Sequence, residues 1–249
     1  MSPVPLAGVF DTFSGAFDFM FQERPSAQPG SDVMVGGPEQ VLDLLASQAL
    51  ISLAALAIAL LIALPLGVYL GHRGRGEFFA VAIGNAGRAI PELGLIAILL
   101  AYVGGTFDLT LIVVFAVMIL GIPPILTNAF VGVSQVDRGA VEAARGVGIT
   151  ELEIVRKVEL PLAVPTIMGG VRTASVNIVA TSTIGSITGV DTLGKYILGQ
   201  NVYGLEGVIA GAILVALLAL TFELVLAGIQ RLLTPRGIRH QREVARATA

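Results

Sequence analysis

The residues best equipped for chemistry in this chain fall in one charged block, Val136 to Pro161, VDRGAVEAARGVGITELEIVRKVELP. Arg138, Arg145, Arg156 and Lys157 stand there against Asp137, Glu142, Glu151, Glu153 and Glu159, so the block is near neutral yet too charged to lie in lipid. Such a set can pair with donors and acceptors on another protein, but it holds no nucleophile–base set. Val141, Ala144, Val147 and Gly148 recur at helical spacing, as do Ile154, Val155 and Val158, and Thr150 is placed to cap the second group. The expectation is two short helices in water. Elsewhere the chemistry is sparse. The chain has no cysteine, which excludes disulfides, thiolate metal sites and thiol nucleophiles. His72 and His240 sit beside arginines in polar segments, a poor setting for a metal-binding or catalytic imidazole. Gly189 to Tyr196, GVDTLGKY, has the spacing of a phosphate-binding loop, but Tyr196 stands where a Ser or Thr would hold Mg²⁺. With no other phosphate cradle, any ATP chemistry belongs to a partner.

The elements that must carry this block are apolar. Of 249 residues, 55% are hydrophobic and 13% charged, with mean hydropathy +0.85. Soluble domains carry about 25% charged residues, so the composition predicts an all-α, multi-pass membrane protein. Five spans are expected, at about 47–70, 78–102, 109–133, 165–188 and 208–229. Arg88 and Pro91-Glu92 interrupt the second, and Pro123-Pro124 should bend the third. The chain thus divides into a segment 1–43, a membrane domain 44–231 with a loop 134–161, and a basic tail 232–249. In the first segment Phe10, Phe13, Phe17 and Phe21 fall at spacings of three and four, as in a short helix lying on a membrane surface. The Pro- and Gly-rich stretch that follows leaves a poorly ordered tail as the alternative. No basic region precedes an apolar core, so no signal peptide is expected. With the charged loop in the cytoplasm, 11 of 15 Lys and Arg lie inside and two outside, Arg24 and Lys195. That bias places the amino end outside and the carboxyl end inside.

Four ionisable groups fall at membrane depth. Arg88 and Glu92 are four apart, across Pro91, and are expected to pair inside the bundle, a gating role being the alternative. Arg172 and Glu223 read as snorkelling to the interface. In the fourth span Asn177, Thr181 and Thr188 share one helical face and read as a translocation pathway lining. Ser182 with Ser186, and Gly185 with Gly189, have the small-xxx-small spacing of close helix packing. The chain has no Trp, and the spans offer few aromatic residues for a cage around a quaternary ammonium. Tyr102, Phe115 and Tyr203 are the candidates, so tight recognition is assigned to a separate protein.

The block's fixed spacing resembles the signature cytoplasmic loop of ABC-importer permeases. Glu142-Ala143-Ala144, then Gly148, then Val158 (where the family usually has Ile) and Leu160-Pro161 match position by position. The resemblance makes Glu142, Ala143, Ala144, Gly148, Val158, Leu160 and Pro161 the ATPase-coupling residues. Leu160-Pro161 should end the loop helix and begin a membrane span, since Pro is tolerated in a first turn. From about Leu44 to Ile238 the chain is similar to permeases for the osmoprotectants glycine betaine, carnitine, choline and proline betaine, through residues 143–174, AIPELG (89–94), Glu223 and LTPRG (233–237). Glu92, in place of a small residue, and GVDTLG depart from that pattern. The resemblance implies a five-span type I importer permease in a bacterial plasma (inner) membrane, with a coupling helix-turn-helix. It would pair with a second copy or a sister permease, a cytoplasmic ATPase dimer and an external or lipid-anchored binding protein. It implies no enzyme activity, no cofactor bound by this chain (ATP and Mg²⁺ sit on the ATPase) and no nucleic-acid partner. A permease for methionine or another amino acid is the nearest alternative. An ATP-independent secondary transporter would show internal repeats or coupling-ion residues, and neither is evident.

Overall fold

Helices make up nearly all the secondary structure in the computed structural model, which describes residues 6–74 and 76–235. Helix α1 runs Leu6–Phe21 and is followed by a two-stranded antiparallel ribbon, β1 Glu23–Pro25 and β2 Met34–Gly36, in the register Arg24↔Val35. Helix α2 covers Gly37–His72, α3 Glu77–Ala89, α4 Glu92–Val103 and α5 Leu109–Ser134. The charged block forms α6 Arg138–Gly146 and α7 Glu151–Ile154, which passes through a π turn Val155–Glu159 into α8 Leu160–Ser182. A 3₁₀ turn Thr183–Thr188, α9 Gly194–Leu198 and α10 Gln200–Leu233 complete the order, with α10 kinked at Gly204. The tail beyond Pro235, including Arg236 and Gly237 of LTPRG, lies outside the described residues.

Among the described residues four helical stretches are long and apolar enough to cross a membrane: Gly37–His72, Leu109–Ser134, Glu151–Thr188 and Gln200–Leu233. They carry the expected first, third, fourth and fifth spans. The second differs. Residues 78–102 form two helices of 13 and 12 residues, each roughly 20 Å long at 1.5 Å per residue against a hydrocarbon core of about 30 Å. Ile90 is extended (φ −73°, ψ 118°) because the residue before a proline is pushed out of the helical region, and Pro91 cannot donate to the preceding turn.

A second difference concerns Pro161. The loop helix does not stop at Leu160-Pro161 but continues, with the Leu160 N–H bonded to the carbonyl of Val155. Pro161 has no N–H for the carbonyl four residues back, and its ring would crowd that group. One wide turn just before it relieves both problems.

The chain forms two compact units, and each long helix contributes a portion to both. The first comprises Met1–Ala54, Glu92–Val117 and Ile178–Leu220. Its core gathers Ala16, Phe19 and Met20 of α1 with Val35, Val41, Leu44, Leu193, Tyr196, Ala210 and Leu214. Phe19 meets Tyr196 edge to face at 5.1 Å, and Tyr196 meets Tyr203 at 4.9 Å. Phe13, Phe17 and Phe21 project outward on the other side of α1. Where α8 tightens into the 3₁₀ turn its last carbonyls lose helical partners. The wholly buried Gln48 amide serves that place, donating to Val179 O at 3.0 Å and accepting from Leu193 N at 2.9 Å. The second unit comprises Ala55–Pro91, Met118–Asn177 and Thr221–Ala249. There α2 lies almost in backbone contact with α5. A Cβ on Gly67 would stand 2.7 Å from Leu126 O and one on Gly71 2.8 Å from Phe130 O, the close approach that small residues allow between membrane helices.

Candidate functional site

The loop is built from local capping. The Asp137 carboxylate accepts from Gly139 N at 3.2 Å and Ala140 N at 3.3 Å, satisfying free donors at the start of α6. At its end Ile149 N bonds Ala144 O and Gly148 N bonds Arg145 O, a Schellman closure. Gly148 holds the left-handed position, φ +84°, with nothing within 4 Å of where a Cβ would stand. Its demand within the chain is therefore conformational. Thr150 caps the next helix as expected: its N–H and hydroxyl donate to Glu153 Oε2 at 3.3 and 3.0 Å. Lys157 Nζ lies 2.7 Å from Glu153 Oε1, and these two partners hold the Glu153 carboxyl down at about 2. Arg145 donates to both oxygens of Glu151, at 2.7 and 2.9 Å, which lowers the Glu151 carboxyl below its ordinary range and raises Arg145.

Ala144 and Ile154 turn inward, while Glu142, Ala143, Val147, Gly148 and Leu152 are exposed. Two apolar side chains thus stand out on a polar loop, Val147 at 77% and Leu152 at 60% exposure. Val158, Leu160 and Pro161 are half-buried in and after the π turn. Spacing alone did not reveal the partner of His72, which lies beneath the loop against Glu159, 87 residues on.

Farther along α8 an open groove of about 440 Å³ is lined by Gly169, Arg172, Thr173, Val176, Asn177 and Glu223. Arg172 is held by two partners on α10. Its Nε donates to Glu223 Oε1 at 2.9 Å, a second nitrogen pairs with the same oxygen, and Nη1 donates to Gln230 at 3.0 Å. Of the three expected pathway residues only Asn177 lines this groove. Thr181 is buried, with its hydroxyl donating to Glu92 Oε1 at 3.1 Å, and the half-buried Thr188 donates to Gly185 O at 2.7 Å. The side chain of Arg88 lies outside the described residues, so the expected pair with Glu92 does too. In the phosphate-loop look-alike Tyr196 is fully buried and Lys195 pairs with Asp191.

A loop of paired charges set between long apolar helices is the arrangement expected of a transporter's membrane subunit. Residues 63–239 match the family model described as the binding-protein-dependent transport system inner membrane component. The chain belongs to that family. It is 36% identical over 196 residues to the choline transport system permease protein OpuBB of Bacillus subtilis, covering 78% of this chain and 89% of that one. It is 34% identical over 196 residues to the glycine betaine/carnitine/choline transport system permease protein OpuCB of the same organism, with the same coverage. It is also 34% identical over 192 residues to the osmoprotectant import permease protein OsmW of Salmonella typhimurium, covering 74% of this chain and 87% of that one. The fold is shared with a chain of the MetNI methionine ABC transporter in an inward-facing conformation, at TM-score 0.67 and 23% identity over 79% of this chain and 97% of that one. It is shared also with a chain of an amino acid ABC transporter solved with histidines, at TM-score 0.62 and 23% identity over 78% and 94%. As a family member this multi-pass chain is the membrane subunit of an importer, without catalytic activity of its own.

Proposed function

We propose that the importer's cargo is a small osmoprotectant of the glycine betaine, carnitine or choline kind, and that this chain forms its path through the membrane. The carrying observation is the run of 34–36% identity to choline and glycine betaine permeases across 89% of their length. Residues 134–161 dock the partner ATPase. Glu142, Ala143, Gly148, Val147 and Leu152 make the contact face, Ala144 and Ile154 anchor it, and Val158, Leu160 and Pro161 lead it into α8. The groove on α8 contributes to the pathway through Asn177, Thr173 and Gly169, with Arg172 and Glu223 as its charged wall. Thr181 holds Glu92, and Thr188 donates within the 3₁₀ turn that follows α8. Helices α3 and α4 together make a crossing, giving five, with the amino end outside and the carboxyl end in the cytoplasm. A second copy or a sister permease completes the pathway, and a binding protein delivers the solute.

In proteoliposomes holding the permease, its ATPase and its binding protein, ATP should drive uptake of labelled glycine betaine, carnitine or choline, but not methionine. ATP-driven uptake of methionine alone would favour the amino-acid reading. Omitting the binding protein should abolish tight recognition, because Tyr203, one of the three candidate cage residues, is packed against Phe19 and Tyr196. A micromolar dissociation constant for betaine on the permease alone would overturn that division of labour.

A further inference from the structure

Among the described residues one histidine, His72, stands where α2 meets the loop, and the transport reading above does not use it. Its side chain is 14% exposed, and the Glu159 carboxylate beside it 5%. Nδ1 lies 2.8 Å from Glu159 Oε2, and Nε2 lies 3.3 Å from Glu151 Oε2. An imidazolium donates from both nitrogens, whereas a neutral ring offers one N–H and one lone pair and can serve only one carboxylate. Leaving the buried Glu159 without a donor is the costlier choice, so a neutral ring keeps that bond and turns a lone pair toward Glu151. The other charged groups around it are known. From α6, Arg145 grips Glu151 from the far side, and Glu142 acts on Arg145. Just past the end of the histidine's helix Arg73 lies over the Tyr69 ring at 5.4 Å, and its charge also acts on Glu151. Lys157 and Glu153 pair with each other.

We propose that His72 is a positioning residue: when protonated it straps the end of α2 to the first turn of α7, and loss of its proton releases the Glu151 end. The strap joins a long helix to the segment 134–161, so its state sets how firmly that segment is presented. Its consequence for coupling rests on the ATPase-docking reading of this loop. The strap itself rests on residues 72, 151 and 159 alone.

Hydrogen exchange on the full chain in lipid nanodiscs tests it, read on the peptide spanning 138–160 and corrected for the intrinsic chemical rate. Histidine changes charge between about pH 5 and 8, so the comparison is near the two ends of that range. The wild type should exchange about tenfold faster at the higher pH, equivalent to ~1.4 kcal/mol. His72→Gln should show the faster rate at both. Glu151→Gln, at an exposed position that leaves the membrane helices alone, should lose the pH step, because an amide N–H donates to the neutral ring where a carboxylate cannot, while its rate at both ends also carries the loss of the Arg145 pair. A wild type with no pH step, or a step that survives unchanged in His72→Gln, overturns the strap. In proteoliposomes with the partner subunits, solute-stimulated ATP hydrolysis should follow the same order. Exchange that behaves as expected while hydrolysis ignores pH and variant alike would keep the strap and overturn its role in coupling.

Discussion

At the scale of single residues, Gly148 separates two accounts of the same loop. Sequence reading values it as a small residue that lets a partner approach. In the fold its φ of +84° closes α6, and the space beside it is open. A residue with a Cβ costs roughly 1–2 kcal/mol in that conformation, whatever its size. Gly148→Ala should therefore weaken ATPase co-purification several-fold, nearly as much as Gly148→Leu, while Gly148→Asn recovers part of it because Asn tolerates the left-handed region. A steep dependence on side-chain size, with Ala harmless, would restore the close-approach account. Glu153 yields a pH expectation of known sign. Its carboxyl is held at about 2 by Lys157 and Thr150, below the ordinary carboxylate value. The cap it makes is thus complete above about pH 4.5 and is lost as pH falls toward 2. Exchange at residues 150–157 should rise over that acid interval in the wild type and stay flat in Glu153→Gln; equal profiles would remove Glu153 as the cap. Both features are local, which is why Thr150 and the spacing around Gly148 were legible. His72 with Glu159, and Gln48 with Val179 and Leu193, pair across 87 to 145 positions, and no window of sequence carries that information.

At the scale of elements, two prolines in apolar surroundings act differently. Apolar length dominates the recognition of a span, so residues 78–102 read as one crossing, interrupted at Arg88 and Pro91-Glu92. The extended Ile90 divides the stretch into two helices. Conversely, Leu160-Pro161 reads as a stop, yet the helix absorbs it with a π turn. The difference is what lies upstream. The turn before Pro161 widens and keeps its hydrogen bonds, whereas the pre-proline residue Ile90 leaves the helix altogether. Relieving the first break is a direct test. A proline in a helix interior costs about 3 kcal/mol, so Pro91→Ala should favour one continuous helix over 77–103. The variant should reach the membrane at normal levels and lose most uptake, since the break and not the apolar length is then the functional feature. Unchanged uptake would show that the break is incidental. Grooves resist the same treatment: Asn177 and Thr181 share a face by spacing, but only packing decides that one is open and the other holds Glu92.

At the scale of the whole molecule, the deciding quantity is the parity of crossings. Among the described residues four stretches are long enough alone, and α3 with α4 makes either a fifth crossing or a paired excursion that returns to the side it left. Parity fixes the termini: with five crossings they lie on opposite sides, with four on the same side. The Lys and Arg distribution, 11 against two, supports the odd count. Because the chain has no cysteine, each introduced thiol reports alone. With the outer face made accessible in otherwise intact cells, an impermeant thiol reagent should label cysteines at Ser31 and at Thr106, in the link between α4 and α5. Cysteines at Val147 and Thr248 should be labelled only after the membrane is opened. Thr106 is the discriminating position, since it changes sides if α3 and α4 fail to cross while Ser31 does not. Protection of Thr106 together with labelling at Val147 would put the charged loop outside, beyond the reach of a cytoplasmic ATPase, and the coupling role proposed for residues 134–161 would fall with the fifth crossing.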